Sequence, residues 1–229
     1  MKNKNKFYDN KVVRKPWGYE YTIYRNLNHL AVTLLKINYN KQTSLHCHPK
    51  KKTGFILIGG KALIQLGLWK SSAEIYSSPS KLMIRTGLFH SIKAISKSGI
   101  YALEFETPVN KNDLVRFKDN YGRETKPYEG KKFTKKLGQQ FIKFKKPKPK
   151  QNQIYKIGNV QISLEVHKNF KNLINKKNAT IFAILNGRIV DKNGRNVLSY
   201  GDIIKTGTLK KLSEVFKIKK YLTILRVSN

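Results

Sequence analysis

Short apolar runs separated by turn residues dominate the first half of the chain. They are rich in Ile, Leu, Val, Phe and Tyr, and Gly, Ser, Pro and Asn lie between them. The runs cover residues 29–38, 54–59, 61–67, 81–85, 90–95 and 100–106. No long helical period occurs before residue 110, although residues 111–123 are expected to contain a short helical turn. Many short strands at such spacing are typical of sandwiches and barrels, so the pattern predicts an all-β fold.

Strand-like runs return after residue 153, in "QIYKIG", "VQISLEVH", "TIFAILNGRIVD", "GDIIKTG" and "YLTILRV". The tract 179–207 echoes the first half, because in both an apolar strand ends at a glycine turn, a second strand follows, and a later strand ends in Thr-Gly. This weak internal repeat predicts two domains of one architecture. We expect a first domain over 1–130, a basic linker over 131–152 and a second β domain over 153–229.

The expected linker contains "KKFTKKLGQQFIKFKKPKPK". This segment is very rich in lysine, and its prolines disfavour regular secondary structure. Its phenylalanines could stack on nucleic-acid bases. They could equally dock the segment onto a neighbouring barrel, and we favour docking.

Charge is the most extreme property of the composition. The 229 residues include 47 Lys and Arg against 13 Asp and Glu, a formal net charge of +34. Such a field attracts polyanions. However, the lysines are spread along the whole chain, which favours compositional drift over a dedicated polyanion-binding surface. Nucleic acid is therefore not an expected partner.

The sequence also limits the expected compartment. The single cysteine, Cys47, excludes an intramolecular disulfide. The first residues contain no apolar signal region, and no stretch approaches the roughly 20 apolar residues of a membrane span. We expect a cytoplasmic protein with no membrane partner.

Candidate chemistry centres on "TSLHCH" at residues 43–48. In a strand, residues i and i+2 point to the same face, so His46 and His48 can reach one ion while Cys47 points away. His90 follows a glycine turn in "IRTGLFHSI", and a neighbouring antiparallel strand can bring it beside the pair. Three imidazoles suit a divalent transition metal such as Zn, Mn, Fe or Ni.

Three stretches resemble the cupin superfamily, and most closely the cupin domain of type II phosphomannose isomerases, which is often fused to mannose-1-phosphate guanylyltransferases. They are "RKPWGYE" (14–20), "TSLHCH", and "LEFETPVNKNDLVRFKDNYGR" (103–123). The likeness covers residues 12–125. It implies a double-stranded β-helix, or jelly roll, with a metal inside the barrel. For the whole chain we expect a bicupin of two such barrels, the second degenerate; cupins often dimerise through their sheets, so a homodimer is also considered.

The resemblance implies that His46, His48 and His90 ligate the metal. The family usually adds a glutamate a few residues after the second ligand, and Thr53 occupies that position here. Three neutral imidazoles can still hold a divalent ion, with water or substrate completing the shell. We expect lower affinity and a site with more net positive charge.

Further residues could act on a substrate. Glu104 and Glu106 lie on one face of a strand. If that face lines the cavity, one of them could be a late metal ligand or an acid–base group; the alternative is a solvent-facing pair, and the resemblance favours the cavity. Arg123 matches an arginine thought essential in the isomerases, and it could clamp a phosphate or stabilise an enediolate.

Three lysines follow the histidines directly. Lys50, Lys51 and Lys52 should lie near the barrel mouth, where they could attract a sugar phosphate or nucleotide sugar. The alternative is a solvated loop. The second domain offers no equivalent site, because Leu173, Asn175 and Lys210 fall where the ligands should be.

Three functions compete. The first is a metal-dependent enzyme that acts on a phosphorylated or nucleotide-linked sugar, with an aldose–ketose isomerisation like that of mannose 6-phosphate isomerase. The second is a non-catalytic sugar-binding or regulatory bicupin in polysaccharide synthesis. The third, a basic nucleic-acid-binding protein, lacks any zinc finger, RNP-type motif or recognition helix.

Overall fold

The computed structural model describes residues 8–126, 128–176 and 179–228. The first unit consists of twelve described strands and two short 3₁₀ turns at Lys70–Ser72 and Lys131–Phe133. The strands are β1 (Lys11–Lys15), β2 (Gly18–Asn26), β3 (Leu30–Ile37), β4 (Leu45–Cys47), β5 (Lys52–Gly59), β6 (Lys61–Leu66), β7 (Ala73–Ser77), β8 (Ser80–Ile84), β9 (His90–Ala94), β10 (Ile100–Thr107), β11 (Val115–Lys118) and β12 (Thr134–Lys136).

Strands β3 to β10 form a jelly roll. One sheet contains the order β3-β10-β5-β8, and the other contains β4-β9-β6-β7, with antiparallel neighbours throughout. Eight strands in two such sheets, with the chain passing between them, are the arrangement of the double-stranded β-helix. Strands β12, β1 and β2 extend the first sheet, and β11 extends the second. The expectation of a mostly β chain is confirmed.

The helical turn expected in residues 111–123 is wrong. This segment forms β11, which pairs with β4 through Val115 opposite Cys47 and Arg116 opposite His46. The pairing gives the backbone its hydrogen bonds at the sheet edge, which a lone turn would not provide.

Alternation along the strands separates two cores. Phe55 and Leu57 of β5 point into the barrel, whereas Ile56 and Ile58 pack on the opposite face of the sheet. On β10, Ala102 likewise lies in the barrel core. Both faces of this sheet are therefore covered, which explains why β5 reads as a continuous apolar run instead of an alternating one.

The second unit repeats part of this order. Its sheets run β13-β14-β20-β15-β18 and β17-β16-β19. Thus β14-β20-β15-β18 corresponds to β3-β10-β5-β8, and β19-β16-β17 corresponds to β9-β6-β7. The elements are β13 (Gln153–Ile157), β14 (Val160–His167), α1 (Lys171–Ile174), β15 (Ile181–Asn186), β16 (Ile189–Val190), β17 (Asn196–Leu198), β18 (Ile203–Lys205), α2 (Thr206–Val215), β19 (Lys217–Ile218) and β20 (Leu222–Ser228).

Helix α1 stands in the chain where the first unit has the histidine-bearing strand β4. Leu173 of this helix is fully buried in an apolar core, Asn175 follows the helix end, and Lys210 is exposed on α2. That the second unit has no metal site stays a prediction.

The outer face of the first sheet packs against the second unit. Leu103 and Phe105 share one buried cluster with Ile162, Leu164 and Leu225. The two units approach each other closely at Gly54 of β5. A Cβ atom added to this glycine would lie 2.7 Å from Cδ1 of Ile203 in the second unit. The domain boundaries themselves stay a prediction.

The segment expected as a basic linker is packed against both units. Its strand β12 pairs with β1, and Phe144 is buried against Tyr155 at a ring distance of 4.7 Å. Phe141 meets Tyr21 edge-on at 5.2 Å. Phe141 and Phe144 therefore face inward, whereas Phe133 and the lysines of the segment are exposed. No helix in the described part of the chain is long and apolar enough to cross a membrane.

Candidate metal centre

Three histidines converge inside the first barrel. His46 on β4 is the cross-strand partner of His90 on β9, and His48 follows β4 directly. Each offers a ligand atom, and these atoms all lie within 4.8 Å of one another. The structure thus brings together the three residues that the sequence analysis selected. Cys47 points away and is buried beside Val115, as the strand period requires.

Each imidazole is oriented by a backbone carbonyl that binds its Nδ1. The three pairs are His46 with Ser44 at 2.8 Å, His48 with Asp113 at 2.6 Å, and His90 with Leu88 at 3.0 Å. A carbonyl oxygen only accepts, so each Nδ1 carries the proton and each Nε2 keeps its lone pair. Such outer contacts are the usual support of histidine metal ligands.

The Nε2 atoms of His48 and His90 are buried, and neither has a hydrogen-bond partner among the described residues. Buried polar atoms are normally paired, so these two indicate a missing partner at the point where the rings meet. Burial lowers the pKa of His46 well below its usual value, and lowers those of His48 to about 3 and His90 to about 4. The rings are therefore neutral at pH 7, which is the form that binds a metal.

Thr53 occupies the position at which the resemblance leads us to expect a glutamate ligand, and it provides no carboxylate. Thr53 on β5 lies opposite Glu106 on β10, and its hydroxyl is buried without a described hydrogen-bond partner. The carboxylate of Glu106 forms ion pairs with Lys51 and with Lys111, whose Nζ lies 2.7 Å from Oε2. Burial alone would raise the pKa of Glu106, but Lys111 and Lys51 outweigh it and lower that pKa. Glu106 is thus a fixed anion between two ammonium groups.

Glu104 lies on the same face of β10 and is chemically different. Its cross-strand neighbours are Thr33 and Phe55, and only 8% of the residue is exposed. Burial first, and the charge of Glu106 second, raise the pKa of Glu104 to about 8. Glu104 is therefore largely protonated at neutral pH. Both glutamates line the chamber that holds the histidines, not the solvent face.

The arginine of the "YGR" motif is already engaged. Nη2 of Arg123 lies 2.7 Å from Oδ1 of Asp119, and Nη1 lies 2.6 Å from Oε1 of Glu129. Asp119 and Glu129 are buried as well. This geometry gives Arg123 a positioning role in the chamber wall, and its expected contact with a phosphate stays a prediction.

The three consecutive lysines separate. Lys51 is 2% exposed and lines the chamber. Lys50 is exposed, and its backbone N–H donates a hydrogen bond to Asp113. Lys52 turns the other way and lies 2.6 Å from Asp202 of the second unit. Of the three lysines, Lys51 is the one that lines the chamber, and the expectation that they attract a sugar phosphate or nucleotide sugar stays a prediction.

The chamber is small. Its volume is about 70 Å³, room for roughly two water molecules. Lys15, Arg123 and Tyr128 line both this chamber and an outer cavity of about 520 Å³. The outer cavity is the size of an ordinary ligand pocket. A ligand larger than a few atoms can thus place only one end beside the histidines.

Sequence reasoning missed the residues that complete the chamber. Lys111 and Asp113 come from the loop between β10 and β11, and Lys15 forms ion pairs with Glu129 and, at 3.6 Å, with Glu20. The only signal was their place inside the two motifs that resemble the cupin family.

Comparisons with known proteins give only distant likenesses. The chain matches no protein-family model and no curated protein sequence. Among solved structures, it is similar to an uncharacterised conserved protein with a double-stranded β-helix domain from Klebsiella pneumoniae, at 14% identity and a TM-score of 0.38, over 42% of this chain and 76% of that one. KdgF from a Halomonas species matches at 12% identity and a TM-score of 0.37, over 41% of this chain and 82% of that one.

The capsular polysaccharide assembling protein CapF from Staphylococcus aureus matches at 14% identity and a TM-score of 0.40, over 47% of this chain and 34% of that one. These values are too low to carry an argument about activity. The double-stranded β-helix is assigned here from the strand order of the two sheets.

Proposed function

We propose that this chain is a metal-dependent cupin enzyme that acts on a phosphorylated or nucleotide-linked sugar, with an aldose–ketose isomerisation of the mannose 6-phosphate type as the reaction. The observation that carries the proposal is the convergence of three imidazoles whose Nδ1 atoms are held by backbone carbonyls. The two motifs that resemble the type II isomerases support the choice of substrate class.

The chamber residues suit this chemistry. When bound at His46, His48 and His90, a divalent transition metal supplies a Lewis acid for a carbonyl or hydroxyl oxygen. Glu104 is the group that can give up and take back a proton near neutral pH, because its pKa is raised to about 8. Glu106 is a poor base, since Lys51 and Lys111 hold it as the anion.

The shape of the site supports a ligand whose two ends occupy different cavities. The 70 Å³ chamber admits the reacting end, and the outer cavity of about 520 Å³ can take the remainder. Arg14 and Lys126 line the outer cavity beside the ring of Tyr121. Basic and aromatic side chains together suit a phosphorylated ligand.

The second unit is, in this proposal, a degenerate cupin. Its strand order supports this, and so does the helix that replaces the ligand strand. It covers the outer face of the first sheet, so a homodimer through that face is not part of the proposal. A cytoplasmic location stays a prediction.

A non-catalytic sugar-binding protein is the second candidate. It is favoured by Thr53 in place of a glutamate ligand and by the engagement of Arg123 with Asp119 and Glu129. Nucleic-acid binding through the basic segment has less support, because Phe141 and Phe144 pack inward and are not available to stack on bases.

The test is turnover of mannose 6-phosphate to fructose 6-phosphate, followed by NMR, in protein loaded with Zn, Mn, Fe or Ni in turn. We expect conversion by the wild type and by His29→Ala, whose ring stacks on Tyr200 outside the chamber. We expect none from His48→Ala or Glu104→Gln with circular dichroism unchanged. Binding of the sugar phosphate without turnover by any loaded form would favour the second candidate.

A further inference from the structure

A buried ammonium group lies beside the proposed cation site. Lys51 is 2% exposed and lines the same chamber as the three histidines. Its charge acts on all three imidazoles. A buried lysine is uncommon without a specific partner, and here the partner is Glu106. The arrangement is unexpected next to a metal, since two cations repel each other strongly where water is excluded.

The local charges do not balance. Lys51 and Lys111 share the single carboxylate of Glu106, so two positive charges face one negative charge. Thr53, across from Glu106, contributes no charge. A metal at the histidines would add further positive charge to this cluster. The two further carboxyls that line the chamber, Glu20 and Glu104, are outnumbered there by Lys15, Arg116 and Arg123, so we expect the negative charge to enter with a ligand.

We propose that Lys51 makes the chamber selective for an oxyanion, such as a carboxylate or an ionised sugar oxygen, and that the metal and this anion bind cooperatively. The inference rests on the proposed metal centre. Lys51 then contributes in two ways: it weakens the binding of metal alone, and it attracts the anion that completes the shell. A neutral sugar hydroxyl would gain less from the same position.

Formate is a suitable probe, because its three heavy atoms fit a chamber of about 70 Å³. Cobalt(II) is a suitable metal, because its visible absorption band reports both occupancy and coordination. The affinity for cobalt would be measured by optical titration of metal-free protein, with and without formate, at matched ionic strength.

Lys51→Met is the informative variant. Methionine fills similar space, and Glu106 keeps Lys111 as a partner, so no buried carboxylate is left unpaired. Lys50→Met is the matched control, one residue earlier but exposed. In the wild type and in Lys50→Met, we expect formate to tighten cobalt binding about tenfold. In Lys51→Met, cobalt alone should bind about tenfold more tightly than in the wild type, and formate should add less than about twofold.

Two failures can be told apart. If cobalt binds but formate leaves the wild-type affinity unchanged, the inference is wrong and the metal centre stands. The same holds if Lys51→Met keeps the full effect of formate. If cobalt binds to none of the three proteins, the proposed metal centre itself fails. The wild-type titration alone shows whether formate tightens cobalt binding, so it tests the inference even if Lys51→Met does not fold.

Discussion

Glu104 should make the metal-free protein less stable as the pH rises, and Glu104→Gln should remove this effect. The folded state raises the pKa of this carboxyl from 4.5 to about 8, chiefly through burial. Between these pH values the folded state therefore keeps a proton that the unfolded state releases. For an acid with a raised pKa, the destabilisation is absent below the unfolded pKa and complete above the folded pKa.

The magnitude follows from the size of the shift. Each tenfold change in proton affinity corresponds to about 1.4 kcal/mol, so ionising Glu104 should cost the wild type on the order of 5 kcal/mol relative to Glu104→Gln between about pH 4.5 and 8. The buried histidines, whose pKa values are lowered, change the stability in the opposite direction in both proteins, so the difference between the two proteins isolates Glu104. Glutamine has a similar shape and no charge, so Glu104→Gln should not show this pH-dependent loss of stability. The free energy of unfolding of both proteins would be measured by urea denaturation from pH 5 to pH 9.

We expect the stability of Glu104→Gln relative to the wild type to increase steadily from pH 5 to pH 8 and then to level off. Glu74→Gln is the control, because Glu74 is exposed on β7. A difference between Glu104→Gln and the wild type that does not change with pH would refute the reasoning. It would mean that the carboxyl is solvated or that a neighbouring group changes its protonation instead.

Two further substitutions test the packing around the chamber, both by urea denaturation. Phe144→Ala should lower the free energy of unfolding by about 3–5 kcal/mol, because the ring is 7% exposed within the shared core; Phe133→Ala, at 42% exposure, should cost less than about 1 kcal/mol. Arg123→Gln should cost about 3–5 kcal/mol, because it leaves the buried carboxylate of Asp119 without its ion-pair partner; the exposed Arg14→Gln should change stability by less than about 0.5 kcal/mol. Equal effects within either pair would contradict this description of the packing.

The sequence was sufficient for many of the strands and for the three histidines, but not for β11. Strands such as β3, β5 and β10 follow directly from apolar runs that end at turn residues, which are Asn, Gly and Pro respectively. The pair His46 and His48 needs only the period of two, and His90 needs only a neighbouring antiparallel strand. These features are local, and local patterns are what a single sequence expresses best.

The rest of the site depends on contacts between distant segments. Lys51 meets Glu106 because β5 and β10 pair in one particular register, and Lys111 reaches the same carboxylate from the following loop. No spacing in the sequence predicts that register. Likewise, the different protonation of Glu104 and Glu106 follows from which of them the lysines reach, although both lie on one face of one strand.

Helices α1 and α2 were missed for a related reason. Residues 206–215 begin with a Thr-Gly that resembles a strand end in the first unit, and only the packing of Leu209 and Leu173 in the second core shows the helices. Tertiary contacts here override the repeat that the sequence suggests.

The account depends most directly on whether the three-histidine centre holds a metal. Bound transition metals would be measured by elemental analysis of protein purified without an affinity tag or chelator, beside a His46→Ala/His48→Ala double variant. We expect about one equivalent of a transition metal in the wild type and none in the variant. A wild-type protein that is empty and that also refuses added Zn, Mn, Fe and Ni would contradict the account, and the histidines would then serve a ligand directly.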